Sequence, residues 1–288
     1  MLKTFTFLCF FLPVFVWAQA GTEIYIFDLS FKNNEFTLSN PINISQHKGY
    51  DNQPFFHPVL PIIYYASAND SGRTDIKAYH YINQTTTVLT NTHEREYSPT
   101  VTPDGIFFSC IIQRDNGQQD LGKYPISGGE PIILIDNLKV GYHTWTAPDQ
   151  LLLFVLADSA NFLHEYNITT KTDNIIAAKP GRSLHKIPHQ QAFSFVDKSS
   201  VNQWNINRFD AKTKTISPIV ATIGQTEDIA WAANGYLFGS DGSHLYAYHP
   251  VLQKQWQMID TSHLPMLKKI TRLAINQTSN KIAIVVNE

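Results

Sequence analysis

The chain is poor in cysteine, in charge and in long apolar runs, and each shortage removes a class of protein. Only two cysteines occur, Cys9 and Cys110, so neither a disulfide framework nor a thiolate metal site can be assembled. Cys9 has no small-residue lipobox before it, and Cys110 sits in an apolar stretch, where a lone cysteine behaves as a small buried hydrophobe. Charged residues are 16% of the chain and the formal net charge is −2. There is no basic stripe and no acidic block, which excludes a nucleic-acid surface. Beyond the N-terminus no segment approaches the ~20 consecutive apolar residues of a membrane helix, so no membrane span is expected. Helical periodicity is missing too: no window sustains a 3.6-residue apolar period over the ~11 residues a helix requires. The one helical candidate is a turn around Ser262 to Lys269.

What is present points to strands. Aromatic residues reach 12%, and with many Thr, Ile and Val they favour β-structure. The first twenty residues stand apart. Lys3 gives a positive start, Phe5 to Trp17 is almost unbroken apolar, and Ala18-Gln19-Ala20 is a small-x-small cleavage site. Residues 1–20 therefore read as a secretory signal peptide cut near Ala20, with a retained anchor as the alternative. Residues 21–288 are then one domain, secreted or periplasmic. The cut takes Lys3 with it and leaves the mature chain one unit more negative.

The stretch REYSPTVTPDGIFFSC, Arg95 to Cys110, reads as strand, Pro-Asp-Gly turn, strand. Its turn proline, Pro103, has counterparts in both directions. Pro58 precedes it, Pro148 and Pro188 follow, and Ala233 and then Asn276 occupy the same point of degraded copies. Six units at about 40 to 45 residues match four-stranded propeller blades. Within a unit, short runs rich in β-branched and aromatic residues alternate with Gly, Asn, Asp and Pro, which are hairpin signals. The pairs Phe55-Phe56, Phe107-Phe108 and Tyr64-Tyr65 read as packing between blades, one ring per face.

The chain ends decide between a closed ring and an open solenoid. The sixth unit stops at Glu288 after its second strand, two strands short. Two unassigned strand-like segments, Glu23 to Ser30 and Glu35 to Ser45, stand at the start. Paired with the C-terminal hairpin, they complete the last blade and leave no open sheet edge, whereas a solenoid needs capping units. The predicted fold is all-β, a six-bladed propeller of four-stranded antiparallel blades closed by its own N-terminus.

The phrases EYSPTVTPDG and NQPFFHP resemble the x-x-x-P-x-x-[ST]-P-D-G signature of WD40-like (PD40) repeats, found in the propeller of the periplasmic TolB protein and its relatives. The likeness is specific in the second unit, fair in the first and third, and degraded in the last three. GYHTW, GRSLHKIP and ITRLAIN are similar to a stand-alone, secreted TolB-like subgroup. The chain leaves no room for the N-terminal α/β domain of TolB, so the resemblance does not carry over the Tol-Pal translocation role.

In a propeller, ligands gather where the starts of the innermost strands meet the channel. Four to seven positions before each turn anchor the units supply Asp51-Asn52-Gln53, Glu96-Tyr97-Ser98, Tyr142-His143, Gly181-Arg182-Ser183, Glu227-Asp228 and Thr271-Arg272, with Trp145 and His185 deeper. The residues expected to bind a ligand are Glu96, Tyr97, Tyr142, His143, Trp145, Arg182, His185, Glu227, Asp228 and Arg272. They predict a polar, aromatic-rimmed cleft for a small molecule, peptide or protein.

Three readings of that cleft compete. His143, His185, Glu96 and Asp228 are ligand types for Zn, Mn or Ca, but no local spacing ties them together, and no cofactor is expected. His143 with Glu96 or Asp228 is an acid–base pair in principle, with Arg182 or Arg272 steadying an anion. That makes a metal-assisted hydrolase or lyase on a carboxylated substrate the alternative function. No G-x-S-x-G elbow occurs, SGG at Ser127 to Gly129 opens no helix for a phosphate, and the N-x-[ST] sites at Asn43, Asn83, Asn167 and Asn276 are expected by chance in an Asn/Thr-rich chain and matter only in a eukaryotic secretory pathway. The leading expectation is a monomeric, non-catalytic binding or scaffold protein.

Overall fold

The computed structural model describes residues 21–288. The expected signal peptide, residues 1–20 with Cys9, lies outside the described residues. Within them the chain forms six four-stranded antiparallel sheets and no helix. The innermost strands are Asp51–Phe56, Arg95–Val101, Val140–Ala147, His185–Lys186, Ala230–Trp231 and Ile270–Ile275, which open blades 1 to 6 in that order.

Blade 6 is built from both ends of the chain. Its strand order is Glu35–Asn43, Thr22–Lys32, Lys281–Asn287, Ile270–Ile275. Thr22 pairs with Asn287 and Asp28 with Lys281, an unbroken antiparallel register. The N-terminal strand closes the ring because its alternation feeds two seams at once. Ile24 and Ile26 pack toward blade 1, and Phe27 and Leu29 toward blade 5.

Each seam between neighbouring blades holds one apolar cluster. Strand alternation explains how one strand serves two seams. Tyr64 lies in the cluster shared with blade 2, its ring stacked 6.0 Å from Phe108, while Tyr65 lies in the cluster shared with blade 6. Phe55 and Phe56 divide in the same way. Phe107 departs from the pattern, its ring capped by the Lys123 ammonium at 4.0 Å. Cys110 is fully buried beside Phe108, as a small apolar side chain.

The Pro-Asp-Gly turn follows from its residues. Asp104 accepts from the Thr102 hydroxyl at 2.5 Å and from the Ile106 amide at 3.0 Å, and Gly105 takes the positive φ of 70° that a side chain would resist. The segment Ser262 to Lys269 forms turns, not a helix. Its Leu264 and Leu267 are buried in the seam between blades 5 and 6, so it acts as an apolar plug.

Candidate functional site

A backbone hydrogen bond in four of the six inner turns sets the alignment of the blades. His57, Thr102, Ile187 and Asn276 each donate to the carbonyl five residues on. Asn276 thus occupies the position of Thr102, and Gln277, not Asn276, stands where Pro103 stands. With that one-residue correction, the residue five before the turn anchor is Gln53, Ser98, His143, Ser183, Asp228 and Arg272. All six line one cavity of about 100 Å3 on the channel axis. One position of a degenerate repeat, read six times, makes the floor of the site.

Backbone strain marks this ring in blades 1 and 2. Gln53 and Ser98 have φ of 58° and 54°, left-handed values uncommon for residues other than glycine. Both sit at bulges, between Asn52 and Phe55 and between Tyr97 and Thr100. Each bulge turns its residue toward the channel, and the Gln53 carboxamide accepts from the Ser98 amide at 2.7 Å.

Above the ring the mouth has two halves. Blades 1 to 3 supply Tyr50, Tyr97 and Tyr142, with Tyr50 and Tyr97 edge to face at 6.1 Å. Blades 4 to 6 supply the charges. Arg182 grips Asp228 through Nε at 3.2 Å and Nη2 at 2.6 Å. Glu227 accepts from the Arg182 amide at 3.1 Å and from Lys198 at 3.2 Å, and Lys198 lies 4.4 Å over the Trp204 ring. Arg272 reaches across the channel from blade 6 to blade 3, donating to the Tyr142 hydroxyl at 2.9 Å with its guanidinium 5.1 Å from that ring. A second cavity of about 210 Å3 adjoins the first and shares Arg182, Asp228, Arg272 and Leu273 with it; Trp204 and Glu227 line its other side.

Two histidines complete the floor. His143 is 7% exposed, and its Nε2 lies 2.7 Å from the Ser109 hydroxyl. That hydroxyl also receives Trp145 Nε1 at 2.9 Å and lies 3.1 Å from the Thr100 carbonyl. A serine has one proton, and a carbonyl can only accept. All three contacts are hydrogen bonds in one assignment alone: the serine proton goes to Thr100, His143 donates from Nε2, and its Nδ1 carries a bare lone pair. That Nδ1 is buried without a partner, as is the Ser98 hydroxyl. His185 Nε2 lies 2.8 Å from the hydroxyl of Ser183, two residues earlier in its own blade. Burial pushes the His143 imidazole down to about 3 and His185 to about 4, the latter opposed by Asp228, so both are neutral near pH 7.

Of the ten expected site residues, Tyr142, His143, Arg182, His185, Asp228 and Arg272 meet around one cavity, and Glu227 lines its neighbour. Tyr97 packs in the seams beside the mouth. Trp145 is a clasp between blades 2 and 3 through Ser109. Glu96 turns away from the channel: it is fully buried, bonded by Thr92 at 2.6 Å, Tyr124 at 3.0 Å and Thr90 at 3.3 Å. Burial raises its carboxyl above the usual range, against the Thr92 and Tyr124 hydrogen bonds. His143 hydrogen-bonds neither Glu96 nor Asp228, so the acid–base pair suggested by the sequence is not made. Among the described residues no three His, Cys, Asp or Glu side chains come together to hold a metal ion.

No protein-family model and no curated protein matches this sequence. Solved structures do match in fold. A protein assigned as TolB from Agrobacterium tumefaciens superposes with a TM-score of 0.65 at 12% identity, covering 94% of this chain and 99% of that one. A chain from a nidogen/laminin complex gives 0.66 at 10% identity, covering 89% and 100%. An oligogalacturonate lyase in complex with manganese gives 0.58 at 11% identity, covering 88% and 83%. The chain is a six-bladed, TolB-like β-propeller in fold. At such identities the likeness extends to the fold and no further.

Proposed function

We propose that this protein is a non-catalytic binding module, a stand-alone member of the TolB-like propellers, that holds a small molecule or the end of a peptide in the mouth of its channel. It would act outside the cytoplasm once residues 1–20 are removed. The observation that carries the reading is the ring itself: six blades place one residue each around a single cavity, and two of those residues keep buried polar atoms without partners. Native proteins leave few such groups unsatisfied, and a ligand, or the ordered water that it displaces, would satisfy them. Among the described residues Ser109 is the serine that hydrogen-bonds His143, and it is fully buried in blade 2 and held by Trp145 as well. That supports a structural rather than a nucleophilic role.

The test is a calorimetric or thermal-shift screen of acids, amines, neutral sugars and short peptides against the mature chain, repeated with Arg182→Ala and His143→Ala. Ligands of the channel should lose affinity in both variants. Ligands that bind both variants as tightly as the parent protein would refute a channel site.

A further inference from the structure

The charges at the mouth do not balance. Glu227 and Asp228 face three cations, Arg182, Lys198 and Arg272. Asp228 is held twice by Arg182, and Glu227 is shared between Lys198 and Arg182. Arg272 has only a share of Asp228. Its Nη1 forms an ion pair with that carboxylate at 3.6 Å, beyond a hydrogen bond, and its Nη2 donates to a phenolic hydroxyl. Asp51 and Glu96, the other acids from the blade openings, are committed elsewhere. Asp51 is buried against His47, and Glu96 against Thr92 and Tyr124. The Arg272 side chain is only 12% exposed. A guanidinium withdrawn from water with only a shared counter-ion is incompletely compensated, and an incoming anion offsets that cost.

The opposite wall of the same cavity offers the complementary group. Blade 3, across the ring from blade 6, presents His143, whose Nδ1 is an acceptor with nothing to accept. A ligand group facing it must donate a proton. The Ser98 hydroxyl, also unpartnered, serves as donor or acceptor beside it.

We infer that the channel selects a monocarboxylate carrying an O–H or N–H next to the acid group, the carboxylate pairing with Arg272 in place of the Tyr142 hydroxyl and the donor engaging His143 Nδ1. Resting on the binding-module reading, this gives its ligand a chemical class. A 2-hydroxy acid has this arrangement, and so does the C-terminal residue of a peptide through its amide N–H. A free carboxylate gains charge-assisted hydrogen bonds that an ester or amide does not.

Calorimetry on the mature chain separates the two sources. One arm titrates glycolate, lactate and glycerate against propionate and lactamide; the other titrates tripeptides with free and amidated C-termini. A free-acid probe from one arm should bind, and its amide should bind at least about tenfold more weakly. Arg272→Gln should weaken the acid about 10- to 100-fold, with part of the affinity restored by Arg272→Lys. Tyr142→Phe should tighten binding, because it removes the group that competes for Arg272; a purely structural role for Tyr142 would weaken it. This variant keeps the question open to test if Arg272→Gln folds poorly. Equal binding of acid and amide, or tightening absent in Tyr142→Phe, overturns the inference. A neutral or cationic compound that binds the channel while every free acid fails also overturns it, yet leaves the binding module standing. Failure of every chemical class removes both.

Discussion

Replacing Ser109 by alanine removes one oxygen and almost no volume, yet it should be among the most damaging small changes in this protein. The hydroxyl receives Trp145 Nε1 from blade 3, receives His143 Nε2 from the channel floor, and donates to Thr100. Alanine leaves two ring N–H donors facing a methyl group. A buried donor left unsatisfied costs about 1–3 kcal/mol. The half-buried indole falls at the lower end, and His143 can move its proton to Nδ1, so the expected loss is about 2–4 kcal/mol. Ser194 is the internal control. It is equally buried and receives Trp231 Nε1 at 2.9 Å, with only a 3.5 Å contact to the His185 carbonyl and no histidine bound to it. Ser194→Ala should therefore cost about 1–2 kcal/mol. Urea denaturation of both variants, compared through midpoints at a common slope, tests the difference. Equal losses, or a smaller loss for Ser109→Ala, would refute the assignment of three hydrogen bonds to one hydroxyl, and with it the bare Nδ1.

Three further outcomes follow from the same structure. Deleting residues 21–45 strips two strands from blade 6 and should abolish cooperative folding; a truncated chain with an unchanged urea midpoint would mean that the ring closes otherwise. His143 and His185 have folded pKa values depressed by burial to about 3 and about 4, so the unfolded chain binds more protons below about pH 6.5. Their contribution is complete above that pH and is lost as pH falls, at up to about 1.4 kcal/mol per unit for each histidine. Glu96 and Asp51, raised by burial, work in the opposite direction, so the decisive measurement is the slope of stability between pH 6.5 and 5, which His143→Gln should flatten. Finally, the Cys110 thiol, fully buried and raised well above its ordinary pKa by burial, should resist alkylation in the native protein and react fully in denaturant. Rapid native labelling would contradict its place in the seam between blades 1 and 2.

The architecture was legible because it repeats. Turn residues such as Pro58, Pro103 and Pro148 locate the blades, and the two missing strands at the C-terminus name their replacements at the N-terminus. The site was only partly legible because membership depends on one residue of register. Asn276 looks like the sixth anchor by spacing, yet its amide shows that the position belongs to Gln277, which moves Arg272 into the ring with Asp228 and His143. Glu96 misled for a related reason. It is one residue before Tyr97 and two before Ser98, and the bulge at Ser98 turns that serine to the channel while Glu96 is held in the seam by Thr90, Thr92 and Tyr124. Ser109 carried no local signal at all; only its recurrence as Ser194, each paired with a tryptophan of the next blade, marks it.

The pairing of Thr22–Lys32 with Lys281–Asn287 has a consequence for how the protein is made. The strand Thr22–Lys32 can form a hairpin with Glu35–Asn43 early, but its other edge finds Lys281–Asn287 only after the five intervening blades have been synthesised. Blades 1 to 5 can assemble as they emerge, but the hairpin carrying Ile24, Ile26 and Phe27 must wait with one edge of that strand open until they are made. During that interval its backbone is an open template for another chain. The closure that protects the finished ring is therefore the step at which an unfinished one is most exposed to aggregation, and it delays completion of the fold until Lys281–Asn287 is made.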